Sequence, residues 1–518
     1  MNRKVTLLYI SLACVLSLQA QTRQQMGGVY YAYPEGPSAK TGTFGTATYV
    51  LSDSLNVPQG YAPFYISHYG RHGSRWMPKD DRYVWICKHF EDESNLTPLG
   101  LQVKGMLQRV WENARGNGGK LSKLGALQHQ GIAHRMFERY PQIFAAGNAV
   151  KARSSVVDRC AKSMQAFTSK LHTLQSGLNL DVKTDSADMA WIAYVSPEVK
   201  ALENRTHVQA QVSPRRFLLQ LFKDVSKVDE PLKLMTEMHT VASSIQDVGL
   251  NFSSYPQDIE DGLNALFTDD EFRAIYEANN LRMAINNGTV ATNEDIPARS
   301  AISLWQNIEA EADRALRSVK SSATLRFGHD TALYRLLSLL FDVNVPPAGA
   351  REEASLVVLG DETEKMDRVV PMAANLQMIF YKNAKDSVLV KFMLNERDIM
   401  LSPVGQVIYG THYYSWNAWK QEMHERIHRL EHIRQLNAIN TMVGTAQANT
   451  QTAGMFGKGS EEHGQTIPAV LVPNGQNFWT PQTQDTEQKC IAPYYYKDTY
   501  LQGFRCSHWL VGGCTQDY

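Results

Sequence analysis

Short β-rich runs and amphipathic helical stretches alternate in the first third of the chain. Residues 47–67 contain β-rich stretches that end in the apolar run APFYIS, directly before a group of charged residues. The next stretch, LTPLGLQVKGMLQRVW, predicts a helix with Thr97 as N-cap and Pro98 at its first position. A second helix is predicted after Leu121, and NAVKARSSVVDRCAKSMQAF predicts a strand, a loop and a helix. A strand that leads into a charged loop is the usual geometry for a site at the edge of an α/β sheet.

A largely helical block, residues 181–322, separates this part of the chain from a second β-rich part. Within the block, Thr268 and Glu271 form a capping box, which is typical of a helix start. Sheet character returns at ATLRFGHDTALYRLLSLLF, and further strands are predicted at SLVVLG and DSVLVKFML. The pattern predicts an α/β fold with a mixed central sheet flanked by helices, residues 45–180 and 323–436, and an inserted helical cap.

Residues 437–518 differ in composition from the rest of the chain. They are rich in glycine, glutamine, threonine and asparagine, and they lack helical periodicity, so we predict a separate β-rich segment. Of the six cysteines, Cys14 lies in the first 20 residues, and the odd number that remains leaves at least one unpaired within the monomer. None lies in a CxxC pair, and their pairing stays open.

The first 20 residues predict a secretory signal peptide. Arg3 and Lys4 precede an apolar stretch that ends in the small-residue cleavage pattern LQA. Cys14 also suggests lipidation, but Ser11 stands where a lipidation motif prefers leucine, so we favour cleavage over a lipid anchor. No later segment reaches about 18 uninterrupted apolar residues, so no membrane span is expected. We therefore expect a secreted or periplasmic protein.

The overall charge of the chain is balanced. Its 518 residues include 52 lysines and arginines and 52 aspartates and glutamates. No global field draws it to nucleic acid or to an anionic membrane, and we expect neither as a partner. Any anion site must therefore be local.

One such local site is indicated by YISHYGRHGSRW, which places Arg71, His72 and Arg75 within five positions. Guanidinium groups present paired donors that match phosphate oxygens, and they stay charged at any working pH. Arg159, in the loop RSSVVDR, adds a third. Crowding three such groups around one histidine is costly unless an anion lies between them, so the cluster indicates a phosphate site. The same positive field keeps His72 neutral, and a neutral imidazole can attack a bound phosphoryl group.

Each motif alone has a simpler interpretation. An Arg-His pair in a loop is commonly a solvated surface feature, and Arg159 alone reads as an exposed helix residue. Gly328-His329-Asp330 alone is equally well a turn followed by an N-cap aspartate. It is their combination, each motif following a predicted strand, that indicates a site.

Together, RHGSR after a strand, RSSVVDR before a helix and GHD after a late strand resemble the histidine phosphatase superfamily, specifically its acid phosphatase and phytase branch. The motifs LTPLG, VVPMAANLQMIFY and VLVKFMLNER extend the resemblance, the last two being similar to phytases and multiple inositol polyphosphate phosphatases. The resemblance covers about residues 47–436. It implies a phosphoric monoester hydrolase acting on a small-molecule phosphate ester, either phytate-like inositol phosphates or sugar phosphates.

The resemblance also implies roles for individual residues. His72 would be the nucleophile that becomes phosphohistidine, and Asp330 would protonate the leaving alkoxide, which leaves poorly without a proton. The implied phosphate-binding residues are Arg71, Arg75, Arg159 and His329, with Arg153, at a frequently basic position, ranked below them because a salt bridge suits it as well. Fixed donors around the phosphoryl oxygens supply most of the stabilisation, and no cofactor is implied.

Two departures from the family pattern leave substrate choice open. The second histidine motif is GHD, as in acid phosphatases and bacterial phytases, where animal inositol polyphosphate phosphatases carry His-Ala-Glu. In RHGSRWMP, two residues separate Arg75 from Pro78, where the family usually has one. Phosphoglycerate mutases share the Arg-His-Gly start, but they lack the second arginine of RHGSR and the GHD acid.

A competing metal motif occurs at HERIH, residues 424–428, which matches the HExxH pattern of zinc peptidases. It lies in KQEMHERIHRLEHIR, which is rich in both charge signs, so a solvated helix is the simpler interpretation. No glycine and histidine follow at metzincin spacing. We expect no metal site here, whether catalytic or a structural one that also uses His432.

The C-terminal tail suggests a second kind of function. NTMVGT, HGQTIPAVLVPNG and LQGFRCSHWLVGGC resemble the opening β-domain of calcium-dependent exo-α-mannosidases. The alternative function is therefore a glycan-binding or mannosidase-related protein with an accessory phosphatase domain, and a glycan contact through residues 437–518. A plain β-rich extension stapled by a disulfide explains the tail equally well.

Overall fold

The structure is a computed structural model. It describes in full residues 22–33, 57–250, 262–288, 290, 293–318, 322–340, 366–399 and 413–435, and the backbone of 41–44, 47–50, 321, 436–454, 504–508 and 513–516. The predicted signal peptide, residues 1–20, and the strand predicted at SLVVLG lie outside these residues.

A mixed eight-stranded sheet forms the centre of the unit that extends to His428, with the strand order β10-β8-β7-β3-β6-β4-β5 and β9 paired with β8. The strands, in chain order, are β1 (Thr41–Phe44), β2 (Ala47–Val50), β3 (Tyr61–Arg71), β4 (Ala149–Ser154), β5 (Asn179–Thr184), β6 (Ser321–Gly328), β7 (Asn375–Asn383), β8 (Val388–Leu394), β9 (Arg397–Ile399), β10 (Tyr413–Ser415), β11 (Phe504–His508) and β12 (Gly513–Gln516). β1 pairs with β2, and β11 with β12, as separate antiparallel ladders.

The register of the parallel strands brings three strand ends together. β3, β6, β4 and β5 are parallel, whereas β7 runs antiparallel to β3. Arg71 lies opposite Gly328, and Ser154 lies opposite Phe327. Because parallel strands end at the same edge of a sheet, the residues that follow β3, β4 and β6 lie side by side.

Helices cover the sheet and fill the long connection between β5 and β6. They are α1 (Asp81–Lys88), α2 (Pro98–Ala114), α3 (Lys123–Arg139), α4 (Asp158–Leu174), α5 (Met189–Ile192), α6 (Pro197–Arg205), α7 (Arg215–Leu219), α8 (Pro231–Ser244), α9 (Asp269–Asn287), α10 (Ile296–Ser300), α11 (Ile302–Leu316), α12 (Asp330–Leu340), α13 (Met366–Val369) and α14 (Trp416–Gly454).

The helix starts follow the capping signals in the sequence. The Thr97 side chain accepts a hydrogen bond from the Gly100 amide at 3.0 Å, and Pro98 occupies the first helical position of α2. The capping box of Thr268 and Glu271 is present at the start of α9. These predicted helix starts are confirmed.

Two large apolar cores lie among the described residues of the first unit. One lies between the sheet and helices α3 and α4, where Phe167 and Phe327 pack edge to face with ring centroids 5.4 Å apart. The other joins the helical block to α1 and α2, through residues such as Met238 and Phe272. The first unit therefore has one core around the sheet and another in the helical block.

The architecture confirms the predicted α/β fold with a mixed sheet and helical insertion, whereas the domain boundaries remain predictions. One expectation needs correction. The C-terminal segment is β-rich only in part, because α14 continues to Gly454, beyond the predicted end near residue 436. The unit Arg429–Tyr518 thus contains a helical part and the β11–β12 hairpin. None of the helices described is both long enough and apolar enough to cross a bilayer.

Candidate active site

The backbone around His72 is fixed from both sides at the carboxyl edge of the sheet. The His72 amide donates to the Gly328 carbonyl at 3.0 Å, and the His72 carbonyl accepts from the Ala373 amide at 3.0 Å. The next residue, Gly73, packs against α3 so closely that an added Cβ would lie 2.3 Å from the Gly125 carbonyl oxygen. Glycine at this position therefore allows the loop to pass over the helix start.

The imidazole of His72 is buried, with 1% of the residue exposed. Its Nδ1 lies 2.9 Å from the Gly73 carbonyl oxygen. A carbonyl only accepts, so Nδ1 carries the proton and Nε2 keeps a free lone pair. Burial holds the pKa of His72 well below its ordinary value, and positive neighbours add to this effect: Arg71, Arg75, Arg159 and His329.

Arg71 is buried and held in one orientation. Its Nη1 donates to the carbonyls of Val29 and Val370 at 2.7 and 2.6 Å, and its Nη2 lies 3.0 Å from Oδ2 of Asp330. Burial lowers the pKa of Arg71, but a guanidinium stays charged at any working pH. The hydrogen bonds to backbone carbonyls thus fix the orientation of the charged Arg71 guanidinium at the site.

Three guanidiniums, those of Arg71, Arg75 and Arg159, form what we call the phosphate cradle. Burial lowers the pKa of Arg159, and the neighbouring Arg75 lowers it further, as expected when like charges are crowded. In each of the three, the Nε atom is buried and has no hydrogen-bond partner among the described residues. Unused charged donors that converge on one place are suited to an oxyanion.

His329 and Asp330 enter from the end of β6 and the first turn of α12. The rings of His329 and His72 meet edge to face with centroids 5.8 Å apart. Burial lowers the pKa of His329 to about 4, with a further contribution from Arg159. Burial raises the pKa of Asp330, but the Arg71 guanidinium and its neighbours outweigh this, and the net pKa is lowered.

Six of the seven residues singled out in the sequence therefore lie together, whereas Arg153 points to other partners. Its Nη2 lies 2.6 Å from Oδ2 of Asp181, its Nη1 donates to the Asp181 carbonyl at 2.8 Å, and its Nε lies 3.8 Å from Asp188. Arg153 therefore forms a salt bridge, which the sequence analysis gave as the alternative to phosphate binding.

The sequence motifs did not identify several residues of the site. Ser155 Oγ lies 3.2 Å from His329 Nε2, and Ser163 Oγ accepts the Gly73 amide at 3.1 Å. The Tyr69 hydroxyl donates to the Ile192 carbonyl at 2.8 Å and accepts from the His329 amide at 3.3 Å. Only Ser155, within the RSS sequence before α4, had a visible motif.

A buried carboxyl from the helical block supports the RHGSR loop. Oδ1 of Asp247 lies 2.5 Å from Ser74 Oγ, and both residues are fully buried. Burial raises the pKa of Asp247 to about 8, against the opposing effects of Ser74 and the cradle arginines. Ser122 Oγ joins the same network, 3.0 and 2.6 Å from the carbonyl oxygens of Ser74 and Asp247.

A cavity of about 480 Å³ opens beside Asp330, between the sheet edge and the helical block. We call it the cleft. Its lining combines residues from the segment before β1, from α1, α6, α8 and α9, and from the start of α12: among them Tyr30, Arg82, Glu203, His239, Ser243, Arg282, Asn286, Asn287 and Thr331. Asp330 thus lies on the wall of the cleft.

The HExxH motif is placed on the exposed part of α14. His424 Nε2 lies 2.8 Å from Glu309, and 61% of the His424 side chain is exposed. Within the part of the chain that the structure describes, no cluster of histidine, cysteine or acidic side chains is arranged to hold a metal ion.

The mixed sheet with its helical insertion, and Arg71 and His72 at the end of β3, agree with the expected resemblance to the histidine acid phosphatase and phytase branch. The chain is similar to multiple inositol polyphosphate phosphatase 1 of Gallus gallus, with 22% identity over 338 residues, 62% of this chain and 73% of that protein. Its fold is similar to that of the multiple inositol polyphosphate phosphatase of Bifidobacterium longum in complex with inositol hexasulfate. The TM-score is 0.57 at 16% identity, covering 77% of this chain and 97% of the other.

A phytase from D. castellii has a similar fold as well, with a TM-score of 0.53 at 13% identity, covering 78% of this chain and 85% of the other. Residues 438–518 match the family model described as the glycosyl hydrolase family 92 N-terminal domain. These comparisons confirm the predicted resemblance, the α/β fold and an enzyme of the histidine acid phosphatase type. They also confirm that the tail resembles a glycosidase N-terminal domain.

Proposed function

We propose that the chain is a phosphomonoesterase that hydrolyses phosphate esters through a phosphohistidine intermediate on His72. The observation that carries this proposal is a neutral, buried imidazole with a free Nε2 lone pair inside the phosphate cradle. A nucleophile without charge and a set of fixed cationic donors are the two requirements for attack on a phosphate monoester.

In the first step, the cradle binds the nonbridging oxygens of the phosphate, and His72 Nε2 attacks phosphorus on the side opposite the ester oxygen. The bond between phosphorus and the ester oxygen breaks, and Asp330 gives that oxygen a proton. In the second step, water attacks the phosphorus of the phosphohistidine and gives a proton to Asp330. The bond between phosphorus and His72 Nε2 breaks, its electron pair returns to Nε2, and inorganic phosphate leaves. The negative charge that spreads over the phosphoryl oxygens is stabilised by the donors of the phosphate cradle, which are already in position and need no reorganisation.

Asp330 must hold a proton to act as the acid, although Arg71 lowers its pKa in the free protein. Substrate binding changes this balance in two ways. The phosphate brings negative charge close to the Asp330 carboxyl, and it takes over the Arg71 donors that now face the carboxylate. Both effects raise the pKa of Asp330 in the complex, and both favour activity at mildly acid pH.

We further propose that the natural substrate is an inositol phosphate or a phosphorylated sugar and that the protein is secreted or periplasmic. The first suggestion is supported by the names of the similar proteins, an inositol polyphosphate phosphatase and a phytase. The second is supported by the basic and apolar pattern of the first 20 residues.

The test is phosphate release from p-nitrophenyl phosphate at mildly acid pH. We expect activity that chelators do not affect and that His72→Ala abolishes. His172→Ala, a histidine change on the exposed side of α4, is the matched control and should keep full activity. Retained activity in His72→Ala, or chelator-sensitive proteolysis in its place, would contradict the proposal.

A second function is favoured by the match of residues 438–518 to a glycosyl hydrolase N-terminal domain. In this alternative, the segment contacts glycans and the phosphatase domain is accessory. Binding to a mannan column that disappears when residues 437–518 are deleted would support it, whereas equal retention of both proteins would rule it out.

A further inference from the structure

We infer that residues 22–33, which we call the strap, are part of the active site. The strap holds Arg71 and Arg75 of the phosphate cradle in position, so that docking of the strap and binding of phosphate stabilise each other. The inference rests on the proposed function and names the segment that positions its phosphate-binding groups. It depends on the contacts of the strap with the cradle, with the helical block and with the sheet.

The strap contacts Arg71 through its backbone. The two hydrogens of Arg71 Nη1 are donated to the carbonyl of Val29, in the strap, and to that of Val370, just after α13, at 2.7 and 2.6 Å. Because both hydrogens are used, the guanidinium cannot rotate without breaking a hydrogen bond from a buried charged group. Its Nη2 lies 3.0 Å from Asp330, on the wall of the cleft. One of the two carbonyls that orient Arg71 thus comes from the strap.

The next residue of the strap contacts Arg75. The Tyr30 ring centre lies 5.5 Å from the Arg75 guanidinium, a cation–π geometry, and Tyr30 also lines the cleft. Two of the three cradle arginines therefore meet the strap at consecutive positions, Val29 and Tyr30. A movement of the strap would disturb both arginines at once.

The first part of the strap is anchored on the helical block. Nη2 of Arg23 lies 2.9 Å from Oδ1 of Asp269, at the start of α9. The same guanidinium donates to the carbonyls of Asn264 and Phe267. Met26 is buried and belongs to the apolar core of the helical block. These contacts hold the strap six residues before the carbonyl that Arg71 uses.

The last part of the strap is anchored on the sheet side of the site. The Tyr31 carbonyl accepts a hydrogen bond from the Met372 amide at 2.9 Å. The Tyr33 carbonyl accepts from Nε2 of Gln128, on α3, at 3.1 Å, and the Tyr33 hydroxyl donates to Glu396 at 2.8 Å. The strap therefore runs from the helical block to the sheet, and its contacts with the cradle lie between the two anchors.

Glycine at position 28 allows the strap to turn directly before these contacts. The φ of 60° and ψ of −116° of Gly28 form a backbone conformation that residues with a Cβ rarely adopt. An added Cβ would also lie 3.1 Å from Cε of Met366 and 3.4 Å from the Tyr276 ring. A side chain at this position therefore strains the docked strap and adds no atom to the cradle.

Docking of the strap and binding of phosphate are coupled because they share Arg71 and Arg75. The Val29 carbonyl is available to Arg71 only while the strap is docked. Phosphate binds more tightly when the two arginines are held in position, so bound phosphate shifts the strap toward its docked form. By linkage, a change that loosens the strap weakens phosphate binding by the same factor.

Gly28→Val and Arg23→Ala in the full chain loosen the strap at two separate places. We expect KM for p-nitrophenyl phosphate and the inhibition constant of inorganic phosphate to rise together in each variant, by roughly 3- to 30-fold, as for a weakened hydrogen bond from a charged donor. Two matched controls should change neither constant. Gly147→Val replaces another glycine with positive φ, before β4 and so at the opposite end of that strand from the site. Arg317→Ala removes an exposed arginine at the end of α11.

Hydrogen exchange measured by mass spectrometry separates a positioning role from a general loss of stability. In Gly28→Val, we expect the amides of the strap to exchange faster than in the wild type. Saturating inorganic phosphate should slow this exchange again in the strap, but not around Gly147.

Two results would overturn the inference while His72-dependent hydrolysis stays intact. One is faster exchange in the strap with an unchanged inhibition constant of phosphate. The other is a rise in both constants with strap exchange that phosphate does not slow, which would show a merely structural role. Hydrolysis of p-nitrophenyl phosphate that survives His72→Ala overturns the proposed function instead.

Discussion

The guanidinium of Arg71 lies 3.0 Å from the carboxylate of Asp330, so one proposed phosphate-binding group and the proposed acid are paired before substrate binds. The pair couples substrate capture to acid strength. When a phosphate takes over the Arg71 donors, the carboxyl loses its cationic partner and becomes easier to protonate. Protonation of the acid is thereby favoured in the complex, where it is needed.

The first prediction concerns Asp330→Asn, which removes the acid but keeps the shape of the side chain. We expect kcat for an alkyl phosphate to fall roughly 10²- to 10⁴-fold, because an alkoxide leaves poorly without a proton. The loss on p-nitrophenyl phosphate should be much smaller, since nitrophenolate leaves unaided. Steady-state kinetics with the two esters, measured on the same preparation, check this. Equal losses on both esters would contradict a role in proton donation.

The second prediction concerns the buried carboxyl of Asp247. Its folded-state pKa is raised to about 8, above the ordinary value of 3.8, so the folded protein binds the proton more tightly than the unfolded chain. The resulting stability is fully present below about pH 4 and is lost as pH rises through about 8. We expect Asp247→Asn, which stays neutral, to remove this loss, which falls between about pH 4 and pH 8. Thermal melting across that range checks it, and an unchanged pH slope in the variant would contradict it.

Six site residues were predictable because each follows a strand end and parallel strands share an edge. His72, Arg159 and His329 follow β3, β4 and β6, whose registers place Arg71 opposite Gly328 and Ser154 opposite Phe327. A charged motif after a predicted strand can be recognised without knowing the rest of the fold.

Other parts of the site leave no local signal. Asp247 meets Ser74 across 173 residues of chain, through a packing contact that no motif marks. Val29 holds Arg71 through its backbone carbonyl, which any residue could supply. The Arg153 side chain points to Asp181 on the neighbouring strand β5. The motif around Arg153 does not show which strand pairs with its own. The extension of α14 to Gly454 runs through polar residues without amphipathic periodicity, so the sequence did not predict it.

The third prediction concerns acid stability and the buried histidines His68 and His129. Burial lowers the pKa of each to about 3, below the unfolded value of about 6.5. The unfolded chain therefore binds more protons between these values, and stability falls as pH drops from about 6.5 to about 3. His68 packs against Phe167 and Phe327, so His68→Phe keeps an aromatic ring there.

In His68→Phe, we expect the free energy of unfolding to lose about 1.4 kcal/mol per pH unit less than the wild type between pH 6 and 4. Urea unfolding at several pH values measures this slope. His172→Ala, which changes an exposed histidine, should leave the slope as it is. An identical slope in His68→Phe and the wild type would contradict the prediction.

The fourth prediction contrasts two arginines of the same strand-loop-helix unit. Arg159→Ala removes a cradle donor, and we expect kcat/KM to fall roughly 10²- to 10³-fold with little loss of stability. Arg153→Ala breaks a pair with Asp181, half of whose side chain is exposed, and should cost about 1 kcal/mol or less with kcat/KM preserved. Kinetics and urea unfolding of both variants check the contrast. A large fall in kcat/KM in Arg153→Ala would contradict this prediction and indicate that Arg153 binds substrate.

The last prediction concerns Tyr30, which approaches the cradle from the segment before β1. The Arg75 guanidinium lies 5.5 Å from the centre of the Tyr30 ring, a cation–π geometry, and its Nη1 donates to the Trp76 carbonyl at 2.8 Å. Tyr30 should therefore position Arg75 through its ring.

Tyr30→Phe keeps the ring, and we expect it to retain most of kcat/KM for p-nitrophenyl phosphate. Tyr30→Ala removes the ring and should raise KM and the inhibition constant of inorganic phosphate together, by roughly 3- to 10-fold. Because a positioning role acts through phosphate binding, kcat should change less than KM, and a pure loss of kcat in Tyr30→Ala would argue against it.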